Sequence, residues 1–192
     1  MSASVVMAPL SNNPLREWPI EHYRELARLL VARLDATVSF VGTREQRLIV
    51  SAAIRSLPSD RFRNLCGMLT WAQTGALLRA AGCVIANNSG IAHYAAEQGV
   101  PTLDISGASH NPYEWMARGR AVSVLVKQTG CSPCAIGQLA DCPYDKRCLR
   151  EITPAAVFEI VARRLSAGTE TAAHARRGNG AGGDVVRLQW QT

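Results

Sequence analysis

Asn87-Asn88-Ser89-Gly90 stands between an apolar, partly β-branched run, Cys83-Val84-Ile85-Ala86, and a breaker-free stretch of helical composition from Ile91 to Gln98. These turn and cap residues are small enough to leave the first backbone N–H groups of the helix open, and an anion is the guest that such groups and the helix dipole favour. The plainer reading is that Asn88 and Ser89 only cap the helix. His93, three residues after Gly90, either meets that anion when protonated or orients the turn through a hydrogen bond. Glu45 follows Gly42-Thr43-Arg44 at a second strand end. An acidic group there accepts hydrogen bonds from both hydroxyls of a ribose, or simply offsets a helix dipole. Finally, Cys131, Cys134, Cys142 and Cys148 form a C-x2-C-x7-C-x5-C cluster. Four clustered thiols are a tetrahedral donor set for Zn or Fe; the alternatives are a redox Cys-Ser-Pro-Cys or unligated thiols.

The elements that must hold these groups alternate. Strands are read at Val5 onward, Thr37 to Val41, near Phe62 to Leu65, Cys83 to Ala86, Thr102 to Ile105 and Ala121 to Val126. Helices are read at about Glu21 to Leu34, Arg44 to Arg55, Trp71 to Ala81, Ile91 to Gln98 and Pro154 to Leu165. Strands alternating with helices imply right-handed crossovers and an α/β, doubly wound, Rossmann-like parallel sheet, whose ligands sit at the carboxyl ends of the strands. The loops Ser11 to Arg16, Gly42 to Glu45 and Asn87 to Gly90 then converge on one face. Residues 1–165, including the cysteine-rich loop 131–148, read as one domain. Residues 166–192 are small, polar and glycine-rich, and read as a disordered tail, although the final VVRLQWQT has some strand character. Cys66 and Cys83 lie on apolar segments as small buried hydrophobes.

Of the 192 residues 47% are hydrophobic and 6% aromatic, and the formal charge is +6. The basic residues are scattered, with no Arg/Lys stripe interleaved with stacking aromatics, so no nucleic-acid partner is expected. No apolar run reaches the roughly 18 residues of a membrane span, and the N-terminus lacks the basic start and apolar core of a secretory signal. A cytoplasmic location without an integral membrane segment is therefore expected. Walker, H-E-x-x-H and Ser/His/Asp nucleophile patterns are absent.

Four features together resemble glycosyltransferase family 9, the heptosyltransferases of lipopolysaccharide assembly, and specifically their C-terminal half: SNNPLREWPIEHYRELARLL, VGTREQ, NLCGMLTWAQTGALLRAAGCVIANNSGIAHYAAEQGVPTL and ITPAAVFEIV. They span roughly Val5 to Leu165. The most specific is the Asp/Asn-Ser/Thr-Gly-x-x-His turn followed by Gly-Val-Pro-Thr. The family usually has Asp where Asn88 stands, and commonly Lys where Arg16 stands.

The resemblance implies the C-terminal domain of a GT-B fold that binds a nucleoside diphosphate sugar, with ADP-heptose favoured. Arg16 pairs with the donor phosphates in the catalytic role. Ser11, Glu45, Met68, Asn88, Ser89, Gly90 and His93 line the donor site, with Met68 either against the base or, equally, packed in the core. The implied reaction is inverting transfer of a heptose-like sugar to a lipopolysaccharide or protein acceptor, with no catalytic metal, so Zn or Fe at the four cysteines is structural. The acceptor domain that supplies the base is expected on another segment or partner chain, and peripheral association with the inner membrane is in keeping with that acceptor. The alternative is a non-catalytic nucleotide-sugar-binding or assembly module carrying a four-cysteine metal site.

Overall fold

The computed structural model describes residues 3–58, 60–109, 112–171 and 184–187. Its strands are β1 (Ser4–Ala8), β2 (Thr37–Phe40), β3 (Phe62–Asn64), β4 (Cys83–Asn87), β5 (Thr102–Ser106), β6 (Val122–Val126) and β7 (Asp184–Arg187). The longer helices are α1 (Ile20–Leu34), α2 (Arg47–Ile54), α3 (Trp71–Arg79), α4 (Gly90–Glu97) and α7 (Pro154–Thr171). Two one-turn helices, α5 (Pro112–Trp115) and α6 (Arg147–Arg150), interrupt the loops. All strand pairs are parallel, in the order β3-β2-β1-β4-β5-β6-β7. The order runs outward from β1 in both directions, so the chain reverses its winding between β1 and β4, and the loops leaving those two strands diverge there to open a crevice.

Strand alternation separates two cores. Val5, Met7, Val38, Phe40, Ile85, Leu103 and Ile105 face α1 and α7, meeting Leu26, Leu30, Val157 and Val161. Val6, Ala8, Val84, Ala86, Val122 and Val124 face Leu78 of α3 and Ala92 and Ala95 of α4. The first face takes large side chains and the second small ones, and α4 with its alanines can therefore lie close to the sheet. Each fully buried Leu or Val contributes about 1.5–3 kcal/mol. Helix α1 ends where Asp35 turns left-handed, at φ 50°, its N–H reaching the carbonyls of Leu30 and Val31. Helix α3 starts on a capping box formed by Thr70 and Gln73.

Three boundaries differ from the sequence reading. Helix α2 begins at Arg47, not Arg44, because the Gln46 side chain accepts from the Thr43 N–H (3.0 Å) and holds residues 43–46 as a turn. Helix α7 continues to Thr171, past the expected end at Leu165, since an established helix adds one bond for each residue it fixes. β7 pairs with the open edge of β6 inside the stretch expected to be a tail; the remainder of that stretch lies outside the described residues.

Candidate functional site

A cavity of about 770 Å³ opens at the carboxyl ends of β1, β2 and β4. It is lined by Ser11, Arg16, Glu45, Asn88, Ser89, Gly90 and His93 among the residues singled out by sequence, and by Leu65, Leu69, Trp71, Thr74 and Trp115 beside them. The volume lies within the roughly 300–1,000 Å³ of ordinary small-molecule sites.

Asn87, the last residue of β4 and fully buried, joins the two halves of this crevice. Its Oδ1 accepts from the Trp18 backbone N–H (2.9 Å) and the Tyr23 hydroxyl (3.1 Å), and its Nδ2 donates to the Pro9 carbonyl (2.6 Å). One side chain thus fixes the exit of β1, the start of α1 and the end of β4. Burial, with Asp104 and Glu17 at a distance, pushes the Tyr23 hydroxyl well above its ordinary range, so it stays a donor. Trp18 is held in turn by its Nε1, which donates to the Ile152 carbonyl (2.8 Å).

Between β1 and α1 the chain makes a single 3-10 turn, Pro14–Arg16. Asn13 caps it, its Oδ1 accepting from the Leu15 N–H (3.0 Å). The Ser11 hydroxyl donates to the Asn13 carbonyl (2.8 Å) and accepts from the Asn13 N–H (3.1 Å), while the Ser11 N–H donates to Glu17 Oε1 (2.7 Å). Ser11 therefore shapes the loop with the proton it was expected to offer a ligand.

Arg16 Nε and Ser89 Oγ are buried and make no hydrogen bond. Ser89 is the N-cap residue of α4, yet its side chain does not cap the helix. An orphaned buried donor costs roughly 1–3 kcal/mol, more when charged, and both of these belong to residues that line one cavity. Beside them, the Gly90 and Ile91 N–H groups open the first turn of α4 and have no carbonyl one turn back to bond. A Cβ on Gly90 would meet nothing within 4 Å. The room above this turn is cavity.

Glu45 is exposed at the opposite rim, where a hydrogen bond from Thr43 and one from its own N–H hold its carboxyl below the usual carboxylate range. It precedes α2 and does not sit in its first turn. Gln46 Nε2 donates to the Ser11 carbonyl (3.4 Å) and so links the β1 and β2 loops. Gly67 is required after β3: its φ is +67° and a Cβ there would stand 2.5 Å from Arg44 Cα. Met68, expected against the base, is 54% exposed and does not line the cavity. The tight turn that closes from the Met68 N–H to the Leu65 carbonyl (3.1 Å) brings Leu65 and Leu69 to the wall instead. Trp71 and Trp115, 64% and 62% exposed, add two aromatic faces at the rim. His93 lines the cavity from the exposed side of α4; its N–H donates to the Ser89 carbonyl (3.3 Å), while its imidazole makes no hydrogen bond to the turn among the described residues.

Below the turn, Asn88 Nδ2 donates to the Trp115 carbonyl (2.9 Å) and, at 3.5 Å, to Asp104 Oδ2. Asp104 is fully buried in β5; its Oδ2 accepts from the Ala117 N–H (3.1 Å) and its Oδ1 has no partner. Burial pushes its carboxyl up to about 7, against the lowering effect of those two donors.

A second cavity, of about 330 Å³, is lined by all four clustered cysteines together with Leu15 and Lys146. The Lys146 N–H donates to Cys142 Sγ (3.4 Å), and the Thr129 hydroxyl meets Cys131 Sγ at 3.3 Å. Burial raises the Cys148 thiol, with Cys131 and Cys134 adding to the rise. The thiols share one cavity, but among the described residues no group of three or more His, Cys, Asp or Glu side chains stands close enough to hold a metal ion. Cys66 and Cys83 are fully buried, their thiols pushed up to about 11 and about 12. No helix among the described residues is long and apolar enough to cross a membrane.

Residues 2–142 match the model of glycosyltransferase family 9 (heptosyltransferase). Lipopolysaccharide heptosyltransferase 2 of Salmonella typhimurium (strain LT2) is 31% identical over 98 residues, 50% of this chain and 28% of that protein. The structure of E. coli ADP-heptose lps heptosyltransferase II superposes with a TM-score of 0.74 at 23% identity, covering 88% of this chain and 48% of that one. The dodecameric iron-containing heptosyltransferase TibC in complex with ADP-D-β-D-heptose superposes with a TM-score of 0.65 at 20% identity, covering 88% and 46%; TibC is from enterotoxigenic E. coli. The chain thus spans about half the length of these solved relatives, and its aligned part less than a third of the curated one.

Proposed function

The chain belongs to glycosyltransferase family 9, and from that premise we propose that it is the donor-binding part of an inverting heptosyltransferase-like enzyme whose cavity takes a nucleoside diphosphate sugar of the ADP-heptose type. The observation that carries the reading is one cavity at the β1/β4 switch point lined by Arg16 and Ser89, whose Nε and Oγ are buried and have no hydrogen-bond partner. Arg16, Ser89 and the open N–H groups of Gly90 and Ile91 hold the diphosphate. Glu45 takes the ribose, and the base lies toward Leu69 and Trp71.

As the acceptor hydroxyl attacks the anomeric carbon, the bond from that carbon to the diphosphate oxygen breaks and the leaving group gains negative charge. Donors aimed at that oxygen stabilise the transition state more than the ground state. The hydroxyl proton passes to a base outside these residues, so this chain contributes charge stabilisation and positioning. The four cysteines fit a thiophilic ion such as Zn or Fe in kind and share one cavity, although their side chains do not converge as they stand. Loaded, such an ion would tie the cysteine loop together and take no part in transfer.

Calorimetric titration with ADP and ADP-heptose tests the reading. Binding is expected in the wild type and is expected to weaken about tenfold or more in both Arg16→Ala and Ser89→Ala, the usual cost of losing a hydrogen bond to a charged group. A folded chain that takes up neither ligand would overturn it.

A further inference from the structure

The cysteine loop meets the turn that carries Arg16 through two residues, Lys146 and Gly137. The Lys146 ammonium donates to the Pro14 carbonyl (3.0 Å) and the Glu17 carbonyl (3.1 Å), the two that frame the single turn carrying Arg16. Its own N–H is bonded to Cys142 Sγ. The same turn is tied to the loop a second time, where Asn13 Nδ2 donates to the Gly137 carbonyl (2.9 Å). Leu15, next to Arg16, is buried and lines the cysteine cavity while Arg16 lines the other. One turn therefore forms part of the wall of both cavities.

Lys146 adopts this place at a cost. It and Asp145 are left-handed, with φ of 53° and 43°, a conformation that non-glycine residues seldom take and that persists only where surrounding contacts impose it. A 3-10 turn of three residues has few bonds of its own: the Arg16 N–H donates to the Asn13 carbonyl (2.9 Å) and the Glu17 N–H to the Pro14 carbonyl (3.3 Å). Without the ammonium, the ends of that turn lose the one cationic donor they have among the described residues.

We propose that Lys146 is a positioning residue for donor binding: it caps the turn that presents Arg16, and so makes the affinity for the diphosphate depend on the state of the cysteine loop. The proposal rests on the donor-site reading above for its ligand. Its mechanical half, that Lys146 orders residues 14–17, stands on the contacts alone.

The experiment titrates ADP into the full chain as wild type, Lys146→Met, Arg16→Ala and the double variant, and follows amide hydrogen exchange in the ligand-free proteins. Lys146→Met is expected to weaken ADP binding about tenfold when Arg16 is present and less than about twofold when Arg16 is already Ala, because its effect passes through that side chain. Exchange at the Arg16 and Glu17 amides is expected to quicken at least about tenfold, with β1 and β4 amides unchanged. Should Lys146→Met not yield folded protein, Lys146→Leu likewise carries no donor and is read the same way.

An equal loss in both backgrounds, or no loss, overturns the proposal. If the wild type takes up no ADP, the donor-site reading falls by itself and the exchange data decide: quickened amides uphold Lys146 as the clamp on the turn, and unchanged amides overturn it.

Discussion

At the scale of single residues, the pairing of Asn88 with Asp104 suits an amide at position 88. Asn88 donates to the Trp115 carbonyl and toward Asp104, and an Asp at 88 would turn acceptors toward acceptors. The buried carboxyl of Asp104 has a folded value of about 7, above its ordinary 3.8. A raised value means that the fold favours the protonated form. The stability linked to it is fully present below about pH 4 and is lost as pH rises through about 7, a change on the order of a few kcal/mol. Asp104→Asn keeps an acceptor for Ala117 and removes the ionisation. Its melting temperature relative to wild type is expected to be several degrees more favourable at pH 8 than at pH 5; the same offset at both values would show that the fold does not raise the Asp104 carboxyl above its ordinary range. Asn88→Asp places two carboxyls together and is expected to steepen the alkaline loss.

At the scale of elements, the loops matter more than the strands they leave. Gly67 passes Arg44 so closely, and with a positive φ, that Gly67→Ala is expected to cost at least about 1–2 kcal/mol in chemical denaturation and to displace the loop bearing Glu45. An unchanged midpoint would mean that the loop gives way freely. The strands and long helices were legible in the sequence because β-branched runs and helical periods are local signals; so was the convergence of the loops holding Arg16, Glu45 and Ser89. What was not legible depended on distant partners. Asn87 reads as one more turn residue until Trp18, 69 positions away, donates to it. Lys146 reads as a solvated charge until it meets Pro14, 132 positions back. Ser89 reads equally as a cap, and only its vacant Oγ separates the two meanings. Met68 stands outside the cavity because a tight turn brings its neighbours, Leu65 and Leu69, to the wall.

At the scale of the whole molecule, binding and stability are linked, since a ligand that the folded chain alone recognises raises the melting point in proportion to the logarithm of its concentration over Kd. ADP at a hundredfold excess over Kd is expected to add about 2.7 kcal/mol, read as an upward shift in a thermal scan that Arg16→Ala largely removes. No shift at any concentration would show that the described cavity is not the site. The strand order carries a different consequence, in time. β1 finds β4 only after the segment that carries β2 and β3 has been made and folded back, with Val5 registered on Cys83. Pairings so remote in sequence form late and slowly. The crevice where β1 and β4 part therefore cannot exist before the Ser89 turn has been made and has folded back, and a molecule whose folding stalls after β1, β2 and β3 have paired holds Arg16 and Glu45 without that turn.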